Sequence, residues 1–290
     1  MSDTTTTSTK QGSVEMDDVL RYELLESNGP KGAPTGDPVL SVRNLKVSFN
    51  TEAGRVDAVR GVNFDLWGGR TLGIVGESGS GKSVTALSLI GLLDDNAHVT
   101  GSIKLGSEEL IGKTDEEMSA LRGTKISMIF QDPLSALTPM FSIGDQLAEA
   151  LLTHNPHMSK ADVRKRCIEL LSIVGITDPE NRLDSFPHEF SGGMRQRVVI
   201  AIAIANNPDI IIADEPTTAL DVTIQAQILD VLKVAQKETG AAVVLITHDL
   251  GVVAGTADDI MVMYAGRGVE RASVDTLFAE PRHPYTMGLL

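Results

Sequence analysis

A glycine-rich stretch beginning at Gly76 has the spacing of a phosphate-binding loop. It fits the pattern G-x-x-x-x-G-K-[ST] with the residues Gly76, Glu77, Ser78, Gly79, Ser80, Gly81, Lys82 and Ser83. Glycines in such a loop let successive backbone N–H groups point at the phosphates of a nucleotide, while Lys82 adds a positive charge and Ser83 offers a hydroxyl to Mg²⁺. A chance match in a glycine-rich turn is the alternative, which the flanking strand and helix patterns disfavour.

Two adjacent acids follow an apolar run, Asp209-Ile-Ile-Ile-Ala-Asp-Glu215, in the last third of the chain. A buried strand ending in Asp214 and Glu215 would bring both carboxylates to the edge of the sheet where α/β folds bind ligands. Asp214 would then hold Mg²⁺, and Glu215 would orient and deprotonate an attacking water. The alternative is a strand that simply leaves the sheet into solvent with two acids, and the phosphate loop makes it less favoured.

Three further positions carry a weaker signal in isolation. Ser191-Gly-Gly-Met-Arg-Gln196 opens an apolar helix, so a serine hydroxyl and a helix N-terminus face outward together and could bind an anion. A plain helix cap is the more common use of such a serine. Gln131 and His248 stand at predicted strand ends, where a lone Gln or His is usually an ordinary surface or core group.

The elements that must position these groups follow from the periodicity of apolar residues. Thr71 to Val75 predicts a buried parallel strand, followed by the glycine-rich loop and a helix over Ser83 to Leu93. A second unit places strands at Asp209 to Ala213 and Ala242 to Thr247 around a helix at Thr223 to Lys237. These alternating strands and helices predict an α/β core with a mainly parallel sheet.

Two other regions flank or interrupt this core. Val39 to Phe49 alternates apolar and polar residues, and Val56 to Leu66 shows the same alternation. The two segments predict an N-terminal antiparallel β subdomain. Helical spacing with Pro and Gly at the breaks predicts a helical subdomain inserted at about 135–200. Residues 1–36 are rich in Thr, Ser, Gly and Pro and are predicted to be a disordered extension, leaving 37–290 as the folded domain.

Composition excludes several function classes. The 290 residues include 25 Lys and Arg against 39 Asp and Glu, a net charge of −14 that opposes non-specific binding to nucleic acid or an anionic lipid surface. The single cysteine, Cys167, excludes an internal disulfide and a multi-thiolate metal site within this sequence. No apolar stretch approaches the roughly 18 residues of a membrane-spanning helix, and the N-terminus has no secretory pattern.

Taken in order, these motifs resemble the nucleotide-binding subunit of an ATP-binding cassette (ABC) transporter. The resemblance covers about residues 39–290 and includes Ile211-Ile-Ala-Asp-Glu215 and Thr218-Ala-Leu-Asp221. Within that family, Phe130-Gln-Asp-Pro-Leu-Ser-Ala-Leu137 and Arg282-His-Pro-Tyr-Thr286 look like the oligopeptide and dipeptide importer branch, which also carries nickel importers. The resemblance implies the P-loop ATPase fold of an ABC nucleotide-binding domain.

The family's functional residues can be placed on this sequence one by one. The resemblance implies that Gln131 touches Mg²⁺ and the attacking water, that His248 contacts the γ-phosphate, and that Phe49 stacks on adenine. Core packing of a strand phenylalanine remains the alternative for Phe49. Residues implied to act on the opposite cassette are the signature residues Ser191, Gly192, Gly193 and Gln196, together with Asp221 of the D-loop. The signature departs from the usual Leu-Ser-Gly-Gly-Gln, because Phe190 precedes it and Met194 takes its fifth position.

The resemblance also implies cofactors, partners and location. ATP and Mg²⁺ are the expected cofactors; the expected partners are a second cassette, two transmembrane permeases and an extracytoplasmic substrate-binding protein. The chain is expected to lie peripherally on the cytoplasmic face of the membrane and to take no nucleic acid. Importers of this branch generally continue into a tail with several cysteines, some binding an iron–sulfur cluster, and no cluster is expected in the sequence ending at Leu290.

Three other functions are alternatives to peptide import. A soluble ABC-type ATPase of DNA repair or translation usually has two cassettes, a long coiled coil or a basic surface, whereas this chain has one cassette and a net charge of −14. A small-molecule P-loop kinase would have no role for the Ser191 and His248 motifs. A non-hydrolysing interaction module would be expected to lose Glu215 or His248, and both are present.

Overall fold

The computed structural model describes residues 36–52, 54–218 and 220–290. The extension predicted to be disordered, residues 1–36, lies outside these ranges except for Gly36. Within the described ranges, no helix combines the length and the apolar character that crossing a membrane requires.

The strands form two sheets, one of four strands and one of six. In chain order they are β1 (Leu40–Thr51), β2 (Gly54–Leu66), β3 (Thr71–Val75), β4 (Ala97–Leu105), β5 (Glu108–Glu109), β6 (Ile126–Ile129), β7 (Ile210–Asp214), β8 (Ala242–Thr247), β9 (Asp259–Tyr264) and β10 (Arg267–Ser273).

The helices lie on the sheets and between β6 and β7, with a short 3₁₀ helix at Pro187–Glu189. In chain order they are α1 (Lys82–Leu89), α2 (Asp115–Leu121), α3 (Pro133–Ala136), α4 (Ile143–His154), α5 (Lys160–Ile173), α6 (Pro179–Arg182), α7 (Gly192–Ala203), α8 (Val222–Thr239), α9 (Leu250–Ala254), α10 (Val274–Ala279) and α11 (Pro284–Leu289).

The six-stranded sheet has the order β10-β9-β3-β8-β7-β6. All neighbouring pairs are parallel except β9 and β10, which form an antiparallel hairpin at the edge. Every residue of β3, β7 and β8 is buried, which explains their continuous apolar sequences, since a parallel strand covered on both faces has no solvent side. The carboxyl ends of these three strands meet at one edge, and each of them leads directly into a predicted site residue.

The four-stranded sheet is antiparallel in the order β2-β1-β4-β5 and packs over one face of the larger sheet. The register between β1 and β2 runs from the pair Leu40 and Leu66 to the pair Thr51 and Gly54. Leu40 and Phe64 belong to the same apolar core as Leu89 of α1 and Ile246 of β8. The phosphate-loop helix is therefore packed between the two sheets and is fixed by both.

The helices between β6 and β7 form a second packed unit with its own buried side chains. Leu147 on α4, Leu170 on α5 and Ile200 on α7 are completely buried in one core that continues to the outer face of the large sheet. Serine hydroxyls cap the N-termini of α4 and α5 by accepting backbone N–H groups, which begins each helix at a definite residue.

This architecture confirms the predicted α/β class, with its mainly parallel sheet, antiparallel β sheet and helical segment. The first predicted helix ends earlier than expected, because α1 stops at Leu89 and Gly91 follows with a φ of 62° that only glycine adopts readily. No range was predicted for strands β4, β5, β6, β9 and β10. The division of the chain at residue 37 and the insertion limits at about 135–200 stay predictions.

Candidate functional site

The phosphate-binding pattern forms the turn between β3 and α1. Gly79 and Gly81 have φ values of 77° and 99°, so the loop bends where a side chain would be strained. A Cβ at Gly76 would lie 2.2 Å from the carbonyl oxygen of Met263, so the loop packs directly against the end of β9. The loop is therefore held in a compact shape by its left-handed glycines and by its packing against β9.

Lys82 is the first residue of α1 and points back into this loop. Its side chain is buried, with 5% of its surface exposed, and Nζ donates to the carbonyl oxygens of Gly76 at 2.7 Å and Glu77 at 3.0 Å. Burial lowers the pKa of Lys82, and the nearby carboxylates of Glu215 and Asp214 oppose this effect. The buried ammonium group is thus a positive charge that a bound anion could complement.

Ser83 and Asp214 meet beside the lysine. The Ser83 hydroxyl donates to Asp214 Oδ1 at 3.2 Å, and Asp214 is 7% exposed at the end of β7. Burial and the charge of Glu215 raise the pKa of Asp214, while the Ser83 hydrogen bond and Lys82 oppose the shift. A buried carboxylate and a hydroxyl in contact fit the preference of Mg²⁺ for oxygen ligands, usually one or two from protein together with phosphates and water.

Within residues 36–52, 54–218 and 220–290, no cluster of three or more His, Cys, Asp or Glu side chains is arranged to hold a metal ion by itself. The Ser83 and Asp214 pair is therefore the candidate for Mg²⁺ that the described residues offer, in company with a nucleotide.

Glu215 follows Asp214 in a left-handed conformation with a φ of 47°, which is uncommon for a residue with a side chain. Its backbone N–H still donates to Ile246 of β8 at 2.9 Å, so the strained position is fixed by the sheet. Gln131 Nε2 at 3.2 Å and the Thr218 hydroxyl at 2.9 Å both donate to Oε2, and His248 Nδ1 lies 3.4 Å from Oε1. Strained residues whose side chains are held from several sides are typical of active sites.

These groups line one cavity of about 600 Å³ at the carboxyl edge of the sheet. Its lining comprises Glu77, Ser78, Gly79, Gly81, Lys82, Ser83, Val84, Gln131, Glu215 and His248. Gly76, Ser80 and Asp214 belong to the same loop and strand end without lining the cavity. The structure thus brings together the phosphate loop, the two acids, the glutamine and the histidine that the sequence separates by up to 172 positions (248 − 76).

Phe49, predicted to stack on adenine, does not line this cavity. It is half-buried on β1, opposite Val56 of β2 and Ala97 of β4, and packs against the apolar core beneath the antiparallel sheet. The adenine contact therefore stays a prediction, beside the core-packing alternative.

The residues predicted to act on an opposite cassette also lie outside the cavity. Ser191 caps α7, its hydroxyl accepting the N–H of Met194 at 3.4 Å, and Ser191 and Gly192 are exposed. Gln196 lies on the same helix but is buried, with 1% of its surface exposed. Asp221 is exposed and caps α8 by accepting the N–H of Ile224 at 3.0 Å.

Two residues that contact this site were missed by the sequence reasoning. Thr218 lies three residues after Glu215, and its hydroxyl donates to the Glu215 carboxylate at 2.9 Å. Tyr285 is on α11, and its hydroxyl accepts the backbone N–H of Glu77 at 3.1 Å. The signal for Thr218 was available in its i+3 spacing, whereas nothing near Tyr285 in the chain indicates a contact with the loop.

Comparison with known proteins gives one consistent result. Residues 59–218 match the family model described as ABC transporter. The chain is 58% identical over 256 residues to the dipeptide transport ATP-binding protein DppD of Bacillus subtilis (strain 168), covering 88% of this chain and 76% of that protein. It is 56% identical over 253 residues to the oligopeptide transport ATP-binding protein OppD of Mycobacterium tuberculosis (strain ATCC 25618 / H37Rv), covering 87% of this chain.

The chain spans only 41% of the length of the mycobacterial relative. Among solved structures, a dimeric ATP-binding cassette in a post-hydrolysis state with bound ADP and Pi has a TM-score of 0.72 and 29% sequence identity, covering 81% of this chain and 98% of that chain.

Proposed function

The chain belongs to the ABC transporter family, and on this premise we propose that it hydrolyses MgATP to drive import of dipeptides or oligopeptides. The observation that carries the proposal is the convergence of the phosphate loop, Glu215 and His248 on one cavity. The peptide class is supported by relatives at 56% and 58% identity that are named for oligopeptide and dipeptide transport.

The phosphate loop binds the nucleotide in this proposal. Its backbone N–H groups and the N-terminus of α1 complement the α- and β-phosphates, since the loop glycines leave the backbone accessible. The Lys82 ammonium has three N–H groups, and since two of them are donated to the carbonyl oxygens of Gly76 and Glu77, the third can donate to the β- and γ-phosphate oxygens. The depressed lysine pKa reflects desolvation, and a polyanion beside it would favour the charged form.

Ser83 and Asp214 would hold Mg²⁺, with Gln131 as a further oxygen ligand at the cavity wall. The ion, when bound, supplies charge neutralisation on the β- and γ-phosphates. For Asp214 to serve, its carboxyl must be ionised against the burial that raises its pKa.

Glu215 acts as general base. Its carboxylate accepts a proton from the attacking water as the water oxygen bonds to the γ-phosphorus, and the bond from that phosphorus to the bridging oxygen breaks so that ADP leaves with the electron pair. Gln131 and Thr218 hold one carboxylate oxygen, which leaves the other oxygen on the His248 side for the water. His248 is 64% exposed at its side chain and is free to turn toward the γ-phosphate.

A second cassette completes the site. Ser191 and Gly192 are exposed and Gly193 is half-buried at the start of a twelve-residue helix, and none of the three lines the cavity of their own chain. A serine hydroxyl at a helix N-terminus is suited to an anion, so we assign Ser191, Gly192 and Gly193 to the γ-phosphate held by the partner cassette. Asp221 would face the same interface, and the adenine ring would stack on Phe49.

The remaining partners are two transmembrane permeases and an extracytoplasmic peptide-binding protein. The chain would sit on the cytoplasmic face of the membrane, and closure of the cassette pair around MgATP would be transmitted to the permeases. The net charge of −14 makes two cassettes repel at long range, so their association should depend on MgATP or on permeases that hold them together.

The test of transport is reconstitution of this chain with its permeases and binding protein in proteoliposomes. We expect peptide uptake and phosphate release that both require MgATP, and loss of both in the Lys82→Ala variant. ATP hydrolysis that responds to nucleic acid or ribosomes and never to peptide would favour the DNA-repair or translation alternative instead.

The shared site has its own experiment. A photoreactive group attached through Ser191→Cys in a Glu215→Gln background should label the phosphate loop of whichever cassette is the partner, and only with MgATP present. The chain with only its native Cys167 is the control, because that thiol is buried. Labelling confined to residue 191's own chain, or independent of MgATP in the assembled transporter, would contradict the shared site.

A further inference from the structure

One peptide unit of the phosphate loop is held at both of its edges. The carbonyl oxygen of Gly76 accepts from Lys82 Nζ at 2.7 Å, and the N–H of Glu77, in the same peptide unit, donates to the Tyr285 hydroxyl at 3.1 Å. Tyr285 lies 208 residues further along the chain. Lys82 and Tyr285 are thus linked through a single rigid plane.

The rigidity of the peptide unit makes this link directional. Because the peptide bond is planar and trans, its C=O and N–H point in opposite directions and cannot rotate independently. A rotation that moved the Gly76 carbonyl away from Lys82 would also break the bond from Glu77 to Tyr285. Hydrogen bonds in series also polarise one another, so the accepted N–H makes the Gly76 carbonyl a better acceptor for the ammonium.

Tyr285 is itself fixed by two further contacts. Its ring lies against the ring of Tyr264 at the end of β9, with centroids 4.5 Å apart and planes tilted by 43°. The start of its helix is anchored by Glu270 of β10, whose carboxylate accepts the N–H groups of Arg282 at 2.8 Å and His283 at 2.9 Å. Glu270 is only 8% exposed. The hydroxyl is therefore presented to the loop by the β9–β10 hairpin.

We propose that Tyr285 is a positioning residue for nucleotide binding: its hydroxyl fixes the Gly76–Glu77 peptide and, through it, the ammonium of Lys82. The proposal rests on the proposed function and adds a residue from outside the nucleotide motifs to the same site. Glu77 is exposed, so water can replace the lost acceptor when the hydroxyl is removed. Removing it therefore costs orientation of the loop and little folding stability.

Tyr285→Phe is the direct test, because it removes the hydroxyl and keeps the ring against Tyr264. One neutral hydrogen bond that orients the loop corresponds to about a two- to tenfold increase in the Kd and KM for MgATP. The kcat at saturating MgATP should stay within about twofold of the wild type, since Glu215 is untouched, and the thermal midpoint should not change. Tyr264→Phe, which also keeps the ring pair, is the matched control and should bind MgATP as the wild type does.

Two further measurements separate positioning from a general structural effect. Exchange of the Glu77 amide, followed in peptides covering residues 76–83, should be about two- to tenfold faster in Tyr285→Phe, since its acceptor is lost. Glu270→Gln weakens the anchor of the helix and should also raise the KM. If Glu270→Gln raises the KM only by displacing the Tyr285 hydroxyl, the variant that combines Glu270→Gln with Tyr285→Phe should have no higher KM than Tyr285→Phe alone.

The outcomes distinguish this inference from the proposed function. Wild-type affinity and wild-type amide exchange in Tyr285→Phe would overturn the role of Tyr285 while leaving the ATPase intact. Additive losses in the double variant would also overturn it, because the two residues would then act separately. Failure of the wild-type chain to bind MgATP would instead refute the proposed function.

Discussion

Replacing Glu215 by glutamine changes the chemistry of the site while preserving its shape. Oε2 accepts from Gln131 and Thr218, and Oε1 faces His248 Nδ1 at 3.4 Å. The amide oxygen of a glutamine can take the place of Oε2 and accept both donors. Its NH₂ group then faces His248 Nδ1, which a neutral imidazole can offer as an acceptor. No group around residue 215 needs to move.

The expected magnitude follows from this conservation of contacts. A positioned general base contributes about 10²- to 10⁴-fold to a rate, and an amide cannot take the proton, so kcat should fall by at least about 100-fold. The phosphate loop, Lys82 and the Ser83–Asp214 pair are unchanged, so the Kd for MgATP should remain within about threefold of wild type.

Single-turnover hydrolysis and equilibrium binding of MgATP on the same preparation measure the two quantities separately. A wild-type sample without nucleotide measures the background phosphate. Gln131→Glu is unsuitable as a control variant because it adds a charge to the site. A Glu215→Gln variant that turned over within tenfold of the wild type would refute the assignment of Glu215 as the base. A large loss of affinity would refute the claim that the amide fits.

Three other substitutions probe separate parts of the site. Lys82→Ala should weaken MgATP binding by about 10- to 150-fold, the equivalent of one charge-assisted hydrogen bond, as equilibrium binding would measure. Thr218→Val removes the hydroxyl that donates to Glu215 and should lower kcat about three- to tenfold with an unchanged KM in steady-state assays. Asp214→Asn should abolish Mg²⁺-dependent hydrolysis and raise the thermal midpoint at pH 8. Because the pKa of Asp214 is raised above its ordinary 3.8, the ionised form is penalised at high pH, and the gain should shrink as the pH falls toward 3.8. A gain in midpoint that grew on acidification would contradict the burial argument.

Much of the central sheet could be predicted because a strand buried on both faces has a continuous run of apolar residues in the sequence. β3, β7 and β8 are uninterrupted apolar runs, and the motifs at their ends identified Lys82 and Glu215 before any contact was known. The sheet order could not be predicted in the same way. β3 pairs with β8 and β9, both more than 160 residues later, and no local pattern records such a pairing.

One missed strand did have a pattern in the sequence. β4 alternates apolar and polar residues from Ala97 to Leu105, but Gly101 lies at its centre and only Ile103 is buried, so the alternation was overlooked. Its place in the sheet comes from pairing with β1, a contact between distant segments. The same reasoning applies to Tyr285, whose hydrogen bond to the loop depends on how α11 packs beside β9 and β10.

The strained backbone at Glu215 could not be predicted from the sequence either. Glu215 adopts a φ of 47°, and its conformation is imposed by the hydrogen bond to Ile246 and by the turn that follows. The motif identified the carboxylate, but its orientation depends on Gln131, Thr218 and His248, which approach from three separate segments.

The most direct test of the account is a structure of the assembled transporter carrying Glu215→Gln, determined with MgATP. The account predicts phosphates within hydrogen-bonding distance of Lys82, Mg²⁺ on Ser83 and Asp214, and Ser191 of this chain against the γ-phosphate held by the other cassette. Nucleotide bound elsewhere, or a γ-phosphate enclosed by one chain alone with Ser191 facing solvent, would contradict it.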